Sequence, residues 1–379
     1  MSGLRSAHAR KVHGQPRVGS TPQLAHLETA KLLSPRWRVP HRCVSRSGPT
    51  VMPPSSERSA ANFLAGPYLD RRAELREDPR WLESARADAE TLFLPARGTA
   101  LGVTGDPPTA AFIDHSHTIV RSSPDDSWVL LGWFRERRCV LVQLDEQAIE
   151  NDSRDDALRF EELRPLASTL SADEAGLLAY ARALTFWQLR HRHCGVCGSP
   201  TQPTRAGHVM TCRDPSCATE FFPRIDPAII VLVSDGERAL LGRQASWPSG
   251  RYSTVAGFVE PGESLEDAVA REVFEETGVR ILASDYHSSQ PWPFPSSLML
   301  GFMATAAPGS VVEAGSELED ARWVSRDEIA AGEVVLPPHT SISHRLIAHW
   351  FDAGSSVPLR TLRTRSWGSS PPRGKAASG

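Results

Sequence analysis

The sequence has no long apolar run. Its longest apolar stretches, residues 228–233 and 128–134, are only as long as β-strands, whereas a membrane-crossing helix needs about 20 apolar residues. Basic residues near the amino terminus are not followed by the apolar segment of a secretory signal, and the last three residues match no retention or peroxisomal address. The sequence therefore predicts neither a membrane span nor a secretory signal.

A strong excess of charge of one sign is also missing. The formal net charge of the 379 residues is −3, charged residues make up 23% and hydrophobic residues 40%. This balance is typical of folded proteins, the length allows two or three domains, and bulk charge indicates no particular partner. Of the six cysteines, four fall in two pairs within residues 194–217, which favours metal binding in a reducing compartment over disulfides. We therefore expect a cytoplasmic protein.

Both ends of the sequence differ from this average. Residues 1–60 contain ten Arg and Lys against two Glu, with many Pro and Ser, and are predicted to form a disordered basic extension. Three interpretations of this extension stay open: an arm that binds nucleic acid or a partner, a solvated tail, or sequence upstream of a true start at Met52. Residues 363–379 are rich in Ser, Gly and Pro and are predicted to be a disordered tail.

Residues 61–189 show short strand patterns followed by one long helical pattern, which predicts an N-terminal α+β domain. Ser171 and Glu174 have the spacing of a capping box at the start of that helix. His115 and His117 are interpreted as surface or core histidines, because no third metal ligand is apparent nearby. This region offers no motif that indicates chemistry.

Residues 190–222 hold the paired cysteines Cys194, Cys197, Cys212 and Cys217. Two short knuckles that supply four thiolates suit a tetrahedral Zn²⁺, and the spacing predicts a zinc ribbon. Because the protein would fill all four positions, the zinc is expected to be structural; a redox pair or chance pairing is the alternative. The neighbouring His191, His193 and His208 are interpreted as bystanders.

A carboxylate-rich helix is predicted within residues 257–279. Ser264 is a plausible N-cap and Gly278 a natural stop, so about three helical turns are expected between them. Glu272, Glu275 and Glu276 share one face of this helix, next to an apolar stripe formed by Leu265, Val269 and Val273. Carboxylates gathered in this way suit a hard divalent cation with phosphate ligands, and the alternative is a solvated acidic face.

The full pattern of residues 257–279 reads Gly, five residues, Glu, seven residues, then Arg-Glu-apolar-x-Glu-Glu-x-Gly-apolar, and it resembles the Nudix box. The resemblance implies a Nudix α/β/α sandwich with a mixed β-sheet at residues 223–362, and hydrolysis of nucleoside diphosphates linked to another group, with Mg²⁺ or Mn²⁺. It implies that Glu272, Glu275, Glu276, Glu317 and the Ala256 carbonyl are metal ligands. The catalytic residues implied are Glu263, Arg271, Glu272, Glu275 and Glu276. The general base is Glu276 or a neighbouring carboxylate.

The segment Ser289-Gln-Pro-Trp-Pro-Phe-Pro-Ser-Ser297, which follows a zinc ribbon and a Nudix box, resembles the signature array of the NADH pyrophosphatase family. The resemblance implies hydrolysis of NADH and NAD⁺ to NMN(H) and AMP, removal of NAD caps from RNA, and a homodimer. The implied substrate contacts are Phe222, Phe258, Gln290, Pro291, Trp292, Pro293, Phe294, Pro295, Ser296, Ser297 and Ser343.

Three positions depart from the family pattern. Phe222 lacks the hydroxyl of the usual Tyr, Ser343 stands where Ala is frequent, and His344 replaces the usual Arg. Two other functions stay open at this point. One is a broader pyrophosphatase of dinucleotides or ADP-ribose, and the other is an inactive zinc-ribbon module that binds nucleic acid.

Overall fold

A computed structural model of the chain describes residues 54–144, 157–362, 364, 366 and 367. Most of the predicted basic extension and of the predicted tail therefore lies outside the described residues. The described residues all belong to one compact unit. No helix in the described ranges has both the length and the apolar character to cross a bilayer.

The described residues of the N-terminal domain form seven strands and five α-helices. The strands are β1 (Leu69–Asp70), β2 (Leu92–Arg97), β3 (Ala100–Thr104), β4 (Thr109–Ala110), β5 (Trp128–Phe134), β6 (Arg137–Leu144) and β7 (Arg159–Glu161). The helices are α1 (Ser55–Ala60), α2 (Trp81–Ala87), α3 (Thr118–Ser122), α4 (Leu163–Leu166) and α5 (Ala172–Arg190). The sheet order is β1-β5-β6-β2-β3-β4, with β7 on β3, and β2 and β6 run parallel.

This sheet is covered on both faces. Neighbouring side chains of a strand point in opposite directions, so one strand contributes to the core on each face. Leu92 and Leu94 of β2 pack into the core cluster that includes α5, whereas Phe93 packs into the cluster that includes residues of α2 and α3. The Phe93 ring meets the Trp128 ring edge-on, with centroids 5.1 Å apart. The predicted α+β domain is thus a layered sandwich.

The predicted capping box at the start of α5 is wrong. Ser171 is the N-cap residue of α5, but its side chain makes no capping hydrogen bond. Glu174 instead turns into the domain, where its carboxylate accepts from the Ala110 amide at 3.2 Å and lies 3.1 Å from the Arg135 guanidinium. Tertiary partners therefore take the carboxylate that the local pattern assigned to the cap.

The ribbon is a small antiparallel sheet of β8 (Thr201–Thr204), β9 (Val209–Cys212) and β10 (Glu220–Phe221), in the order β10-β9-β8. His208 joins the ribbon to the N-terminal domain, since its buried ring donates from Nε2 to the Leu130 carbonyl at 2.7 Å.

The C-terminal domain is built on a mixed six-stranded sheet. Its strands are β11 (Asp226–Ser234), β12 (Arg238–Arg243), β13 (Val255–Phe258), β14 (Ile281–Trp292), β15 (Ser297–Ala306) and β16 (Asp320–Ser325). Its helices are α6 (Leu265–Thr277), α7 (Arg326–Ala331) and α8 (Ile342–Ala353). The order is β14-β15-β11-β12-β16 with β13 paired to β11; β11 and β15 are parallel and the other pairs antiparallel. Residues of α6 and α8 belong to separate core clusters that share strands of this sheet, so the predicted sandwich with a mixed sheet is confirmed.

Two predicted boundaries shift. Residues 55–60, assigned to the disordered extension, form α1, which is held against β14 because the buried Arg58 donates from Nε to the His287 carbonyl at 2.8 Å. In the predicted tail, Trp367 donates from its backbone amide to Leu336 at 3.0 Å and packs edge-on against Trp247. Both corrections arise from long-range contacts that composition does not report.

Candidate active site

Helix α6 carries the carboxylates, and its ends form as the sequence predicts. The Ser264 hydroxyl accepts from the Asp267 amide at 3.1 Å, and Gly278 ends the helix in the left-handed region at φ 68°. Val269 and Val273 are buried against the sheet, so α6 has a fixed rotation about its axis. The face that carries Glu272, Glu275 and Glu276 is thereby set by packing.

Arg271 is the centre of the hydrogen-bond network on this helix. Its Nε donates to Glu263 at 2.7 Å, and Nη1 donates to Glu272 at 2.9 Å and to Glu275 at 3.0 Å. Nη2 donates to the Phe258 carbonyl at 3.0 Å, which ties α6 to the end of β13. One guanidinium therefore orients three of the five predicted catalytic side chains.

Strand β13 approaches the helix through a glycine. A β-carbon on Gly257 would lie 2.0 Å from the Glu272 carboxylate, so only glycine leaves room for that carboxylate. The preceding Ala256 pairs with Ile230 of β11, which fixes the position of its backbone. The strand thus brings the predicted carbonyl ligand and Glu272 to the same place in the fold.

Glu317 reaches the helix on a loop that is fastened at both ends. At one end, the Glu313 amide donates to Thr277 at 2.9 Å and the Gly315 amide to Glu276 at 2.8 Å, both to backbone carbonyls. At the other end, Glu319 forms an ion pair with Arg243. The structure therefore brings the predicted remote acid, 41 positions after Glu276 in the sequence, to the α6 carboxylates.

The electrostatics of the cluster favour a cation. Burial, followed by the charges of Glu272, Glu317 and Glu275, raises the pKa of Glu276 to about 7. Burial also raises the pKa of Glu272, although Arg271 opposes the shift, whereas hydrogen bonds from Arg271 lower the pKa of Glu263 to about 2. Like charges that act on a buried carboxylate are stabilised by a divalent ion, and carboxylate oxygens are donors of the kind that Mg²⁺ and Mn²⁺ bind.

The four ribbon cysteines form a second, separate cluster. Their sulfurs all lie within 4.8 Å of one another, with Cys194 and Cys217 3.7 Å apart and Cys197 and Cys212 3.5 Å apart. Four gathered thiols are a donor set suited to a closed zinc site. The neighbouring histidines are not in this group, and His191 instead contacts the Trp187 carbonyl through Nδ1 at 2.7 Å.

Two predicted substrate contacts are buried and already occupied. The amide of Gln290 donates to the Phe63 carbonyl at 3.0 Å and to the Thr340 carbonyl at 2.8 Å, and it accepts from the Ile342 amide at 2.9 Å. The Ser343 hydroxyl accepts from the Thr254 amide at 3.2 Å. In this conformation both side chains bond to other parts of the fold, and their assignment as substrate contacts stays a prediction.

The remaining members of the predicted substrate set have different surroundings. Phe222 and Phe258 are 59% and 60% exposed, so both rings are available to a ligand. Trp292 and Phe294 are partly buried and meet edge-on with centroids 5.2 Å apart. The Ser296 hydroxyl donates to the Asp226 carboxylate at 2.9 Å. Of the other residues, Pro293 is buried, Pro295 is exposed, and Pro291 and Ser297 are partly buried. Some side chains of the predicted substrate set are therefore buried or bonded within the protein, whereas others are exposed to solvent.

Sequence reasoning missed Arg182 of α5, which contacts the array from the N-terminal domain. Its guanidinium donates to the Pro293 carbonyl and lies against the Phe294 ring. No local signal marks this residue, because the hydrogen-bonded partners are 111 positions apart.

Three family models match the chain. A "NUDIX domain" matches residues 224–351, an "NADH pyrophosphatase zinc ribbon domain" matches residues 189–222, and an "NADH pyrophosphatase-like rudimentary NUDIX domain" matches residues 87–187. The fold, the four-thiol ribbon and the carboxylate helix thus define a Nudix hydrolase with a zinc ribbon. The third match adds that the N-terminal domain is itself of Nudix type, which its sequence pattern did not indicate.

Comparison with similar proteins shows to which family of Nudix hydrolases the chain belongs. The chain is 43% identical over 217 residues to the NAD-capped RNA hydrolase NudC of Stutzerimonas stutzeri strain A1501, covering 57% of this chain and 75% of that protein. It is 41% identical over 219 residues to the human mitochondrial NAD(P)H pyrophosphatase NUDT13, covering 52% of this chain and 62% of that protein. It is 39% identical over 201 residues to the human NAD-capped RNA hydrolase NUDT12, covering 49% of this chain and 44% of that protein. The chain belongs to the NADH pyrophosphatase family of Nudix hydrolases.

Proposed function

We propose that this protein hydrolyses the pyrophosphate bond of NADH and NAD⁺ to give NMN(H) and AMP. In an RNA whose 5′ end is NAD, the same pyrophosphate bond joins NMN to the first adenosine, so its hydrolysis releases NMN and leaves a 5′-monophosphate, and we include this removal of NAD caps in the proposal. The observation that carries it is the buried carboxylate of Glu276, whose pKa is raised by burial and by the charges of Glu272, Glu317 and Glu275, beside the Arg271 network. The relatives that are named for these two activities support it.

The proposed cation site consists of Glu272, Glu275, Glu276, Glu317 and the Ala256 carbonyl. A divalent cation bound there supplies charge neutralisation to the pyrophosphate and lowers the pKa of a water molecule. Hard oxygen donors of this kind suit both Mg²⁺ and Mn²⁺, and we propose either as the catalytic metal. The four ribbon thiols are proposed to hold a structural Zn²⁺.

The protein's own side chains then orient the reaction. Arg271 holds Glu263, Glu272 and Glu275 through hydrogen bonds of 2.7–3.0 Å, so these groups need no reorganisation when substrate binds. In the reaction, the oxygen of water bonds to one phosphorus and the bridging P–O bond of the pyrophosphate breaks. The proton that water loses passes to a carboxylate, for which we propose Glu276 or one of its neighbours.

Chromatography of the products tests this function. Purified protein is incubated with Mg²⁺ or Mn²⁺ and, in separate reactions, NADH, NAD⁺, ADP-ribose and NAD-capped RNA. The proposal is supported if NMN(H) and AMP form faster from NADH than from the other substrates. If NMN is released fastest from the capped RNA, decapping is the main activity. Preference for ADP-ribose indicates a broader pyrophosphatase, and absence of turnover by zinc-loaded, folded protein overturns the proposal in favour of a binding module.

Two further parts of the proposal concern the protein in the cell. We propose a cytoplasmic location, supported by four ribbon cysteines whose role as metal ligands needs a reducing environment. We also propose a homodimer, as the family resemblance implies. Light scattering of the purified protein measures the dimer directly, and fractionation of cells with an antibody against the chain measures its location.

A further inference from the structure

The loop between β14 and β15 is anchored by the other Nudix-type domain. Arg182 of α5 donates from its guanidinium to the Pro293 carbonyl, and the same guanidinium lies 5.2 Å from the centroid of the Phe294 ring. Arg164 of α4 lies 5.9 Å from that centroid. The ring therefore contacts two cationic side chains of the N-terminal domain, and planar guanidinium groups are well suited to such contacts.

This anchor is built into the N-terminal domain. The Arg182 side chain is only 12% exposed, and its Nε lies 3.5 Å from the Glu162 carboxylate. Glu162 in turn accepts from the Thr99 hydroxyl at 2.6 Å, and the Phe294 ring packs against the core cluster of this domain. Arg182 thus has a defined position that does not depend on the loop alone.

The anchor extends to Trp292 through Phe294. The two rings meet edge-on with an interplanar angle of 80° and a centroid distance of 5.2 Å, a preferred aromatic geometry. The Phe294 amide also donates to the Trp292 carbonyl at 2.8 Å. Fixing Phe294 therefore fixes the backbone and the ring of Trp292.

We propose that Arg182 is a positioning residue for substrate affinity: it holds Phe294, and through it Trp292, in the conformation that receives the dinucleotide. This inference rests on the proposed function. A loop that is ordered in advance binds ligand without the entropic cost of ordering, so loss of the anchor weakens binding. The carboxylates lie on α6 and on the loop that carries Glu317, which Arg182 does not contact, so the chemical step stays unaffected.

Steady-state kinetics with NADH test the proposal with Arg182→Ala and a matched control, Arg190→Ala. Arg190 is on the same helix and lies 5.6 Å from the centroid of Phe186, a comparable contact that does not involve the loop. We expect Arg182→Ala to raise KM about tenfold with kcat within about twofold, and Arg190→Ala to match the wild type. Arg182→Lys keeps the charge but loses the planar contact, so an intermediate KM is expected. Phe294→Leu should reproduce the rise in KM.

A second measurement does not depend on turnover. Hydrogen exchange of the peptide that spans residues 289–300 is followed in the substrate-free proteins, and exchange should be faster in Arg182→Ala but unchanged in Arg190→Ala. An unchanged KM and unchanged exchange in Arg182→Ala overturn the proposal, as does a fall in kcat at constant KM. If the wild type does not hydrolyse NADH, the proposed function fails, while the exchange data still decide whether Arg182 holds the loop.

Discussion

Glu174 on α5 and Glu276 on α6 are both buried carboxylates on helices that pack against a sheet, 6% and 9% exposed respectively. Their surroundings are opposite. Glu174 faces the Arg135 guanidinium at 3.1 Å and the Ala110 amide, whereas the charges that raise the pKa of Glu276 all belong to other carboxylates. The comparison teaches that burial alone does not mark a functional acid in this protein. A buried acid with a basic partner supports the fold, whereas for the buried acid among acids we propose a cation site.

The same contrast separates the two Nudix-type domains as a whole. Both place helices on a sheet that contains one pair of parallel neighbours, β2 with β6 and β11 with β15. Only α6, however, carries the acidic box, whereas α5 presents Arg182 to the loop of the other domain. We infer that one copy of the architecture supplies chemistry and the other supplies support.

Removal of the ribbon metal should have the largest effect on stability, because the metal is expected to hold the ribbon folded and the ribbon connects the two domains in the chain. Cys212→Ala removes one thiolate ligand and a strong chelator removes the metal, whose binding is worth on the order of 10 kcal/mol in isolated zinc modules. We expect residues 190–222 to unfold, measured as lost zinc by atomic absorption and faster hydrogen exchange in this segment. Cys139→Ala is the control, since Cys139 is buried in the N-terminal core away from the ribbon thiols. Retained order after zinc loss would contradict the expectation.

Glu276→Gln is the sharpest test of the contrast between the two acids. Loss of one cation ligand should lower kcat for NADH by about 10²–10³-fold, since electrostatic groups at reacting centres have effects of this size. Folding should not suffer, because the change removes a charge that its neighbours repel. Glu266→Gln, at an exposed position of the same helix, is the control and should keep wild-type kinetics. Wild-type activity of Glu276→Gln would show that the cation site is elsewhere.

Whether a contact could be predicted from the sequence depends on how far apart its two residues are in the chain. The cap at Ser264 and the stop at Gly278 were predictable because both act within a single helix. The same rule failed at Glu174, where a partner 39 positions away competes for the carboxylate. The hydrogen bonds of Gln290 could not be predicted either, since its amide donates to the carbonyls of Phe63 and Thr340, which lie 227 and 50 positions away. The resemblance to a family predicted which residues gather, and only the fold shows which of them remain accessible.

Glu174→Gln tests the other side of the contrast. The variant weakens the charge-assisted bonds that the buried Glu174 carboxylate makes with the Ala110 amide and with Arg135, which is half exposed and keeps Asp173 as a second partner. The free energy of unfolding should therefore fall by about 2 kcal/mol. The kcat for NADH should stay within about twofold of the wild type, because the carboxylate has no contact with α6. Urea denaturation followed by circular dichroism, together with steady-state kinetics, measures both quantities. A large fall in kcat at unchanged stability would mean that the N-terminal domain takes part in the chemistry.

An effect of similar size, which appears only on acidification, concerns the joint between the ribbon and the N-terminal domain. Burial lowers the pKa of His208 to about 4 in the folded protein, against an ordinary value of 6.5. The stability that this neutral ring contributes is therefore complete above pH 6.5 and is lost as the pH falls towards 4, because the unfolded chain takes up a proton that the folded chain refuses. At pH 5 the loss should be about 2 kcal/mol.

The measurement compares urea denaturation at pH 7.5 and pH 5 for the wild type, His208→Gln and His115→Gln. His287 has its pKa lowered to about 3 by burial and adds its own pH dependence, so only the difference between variants isolates His208. His208→Gln should lose about 2 kcal/mol less than the wild type on acidification, and His115→Gln, at an exposed position, should follow the wild type. Equal losses in all three proteins would mean that the joint between the ribbon and the N-terminal domain does not depend on a neutral His208.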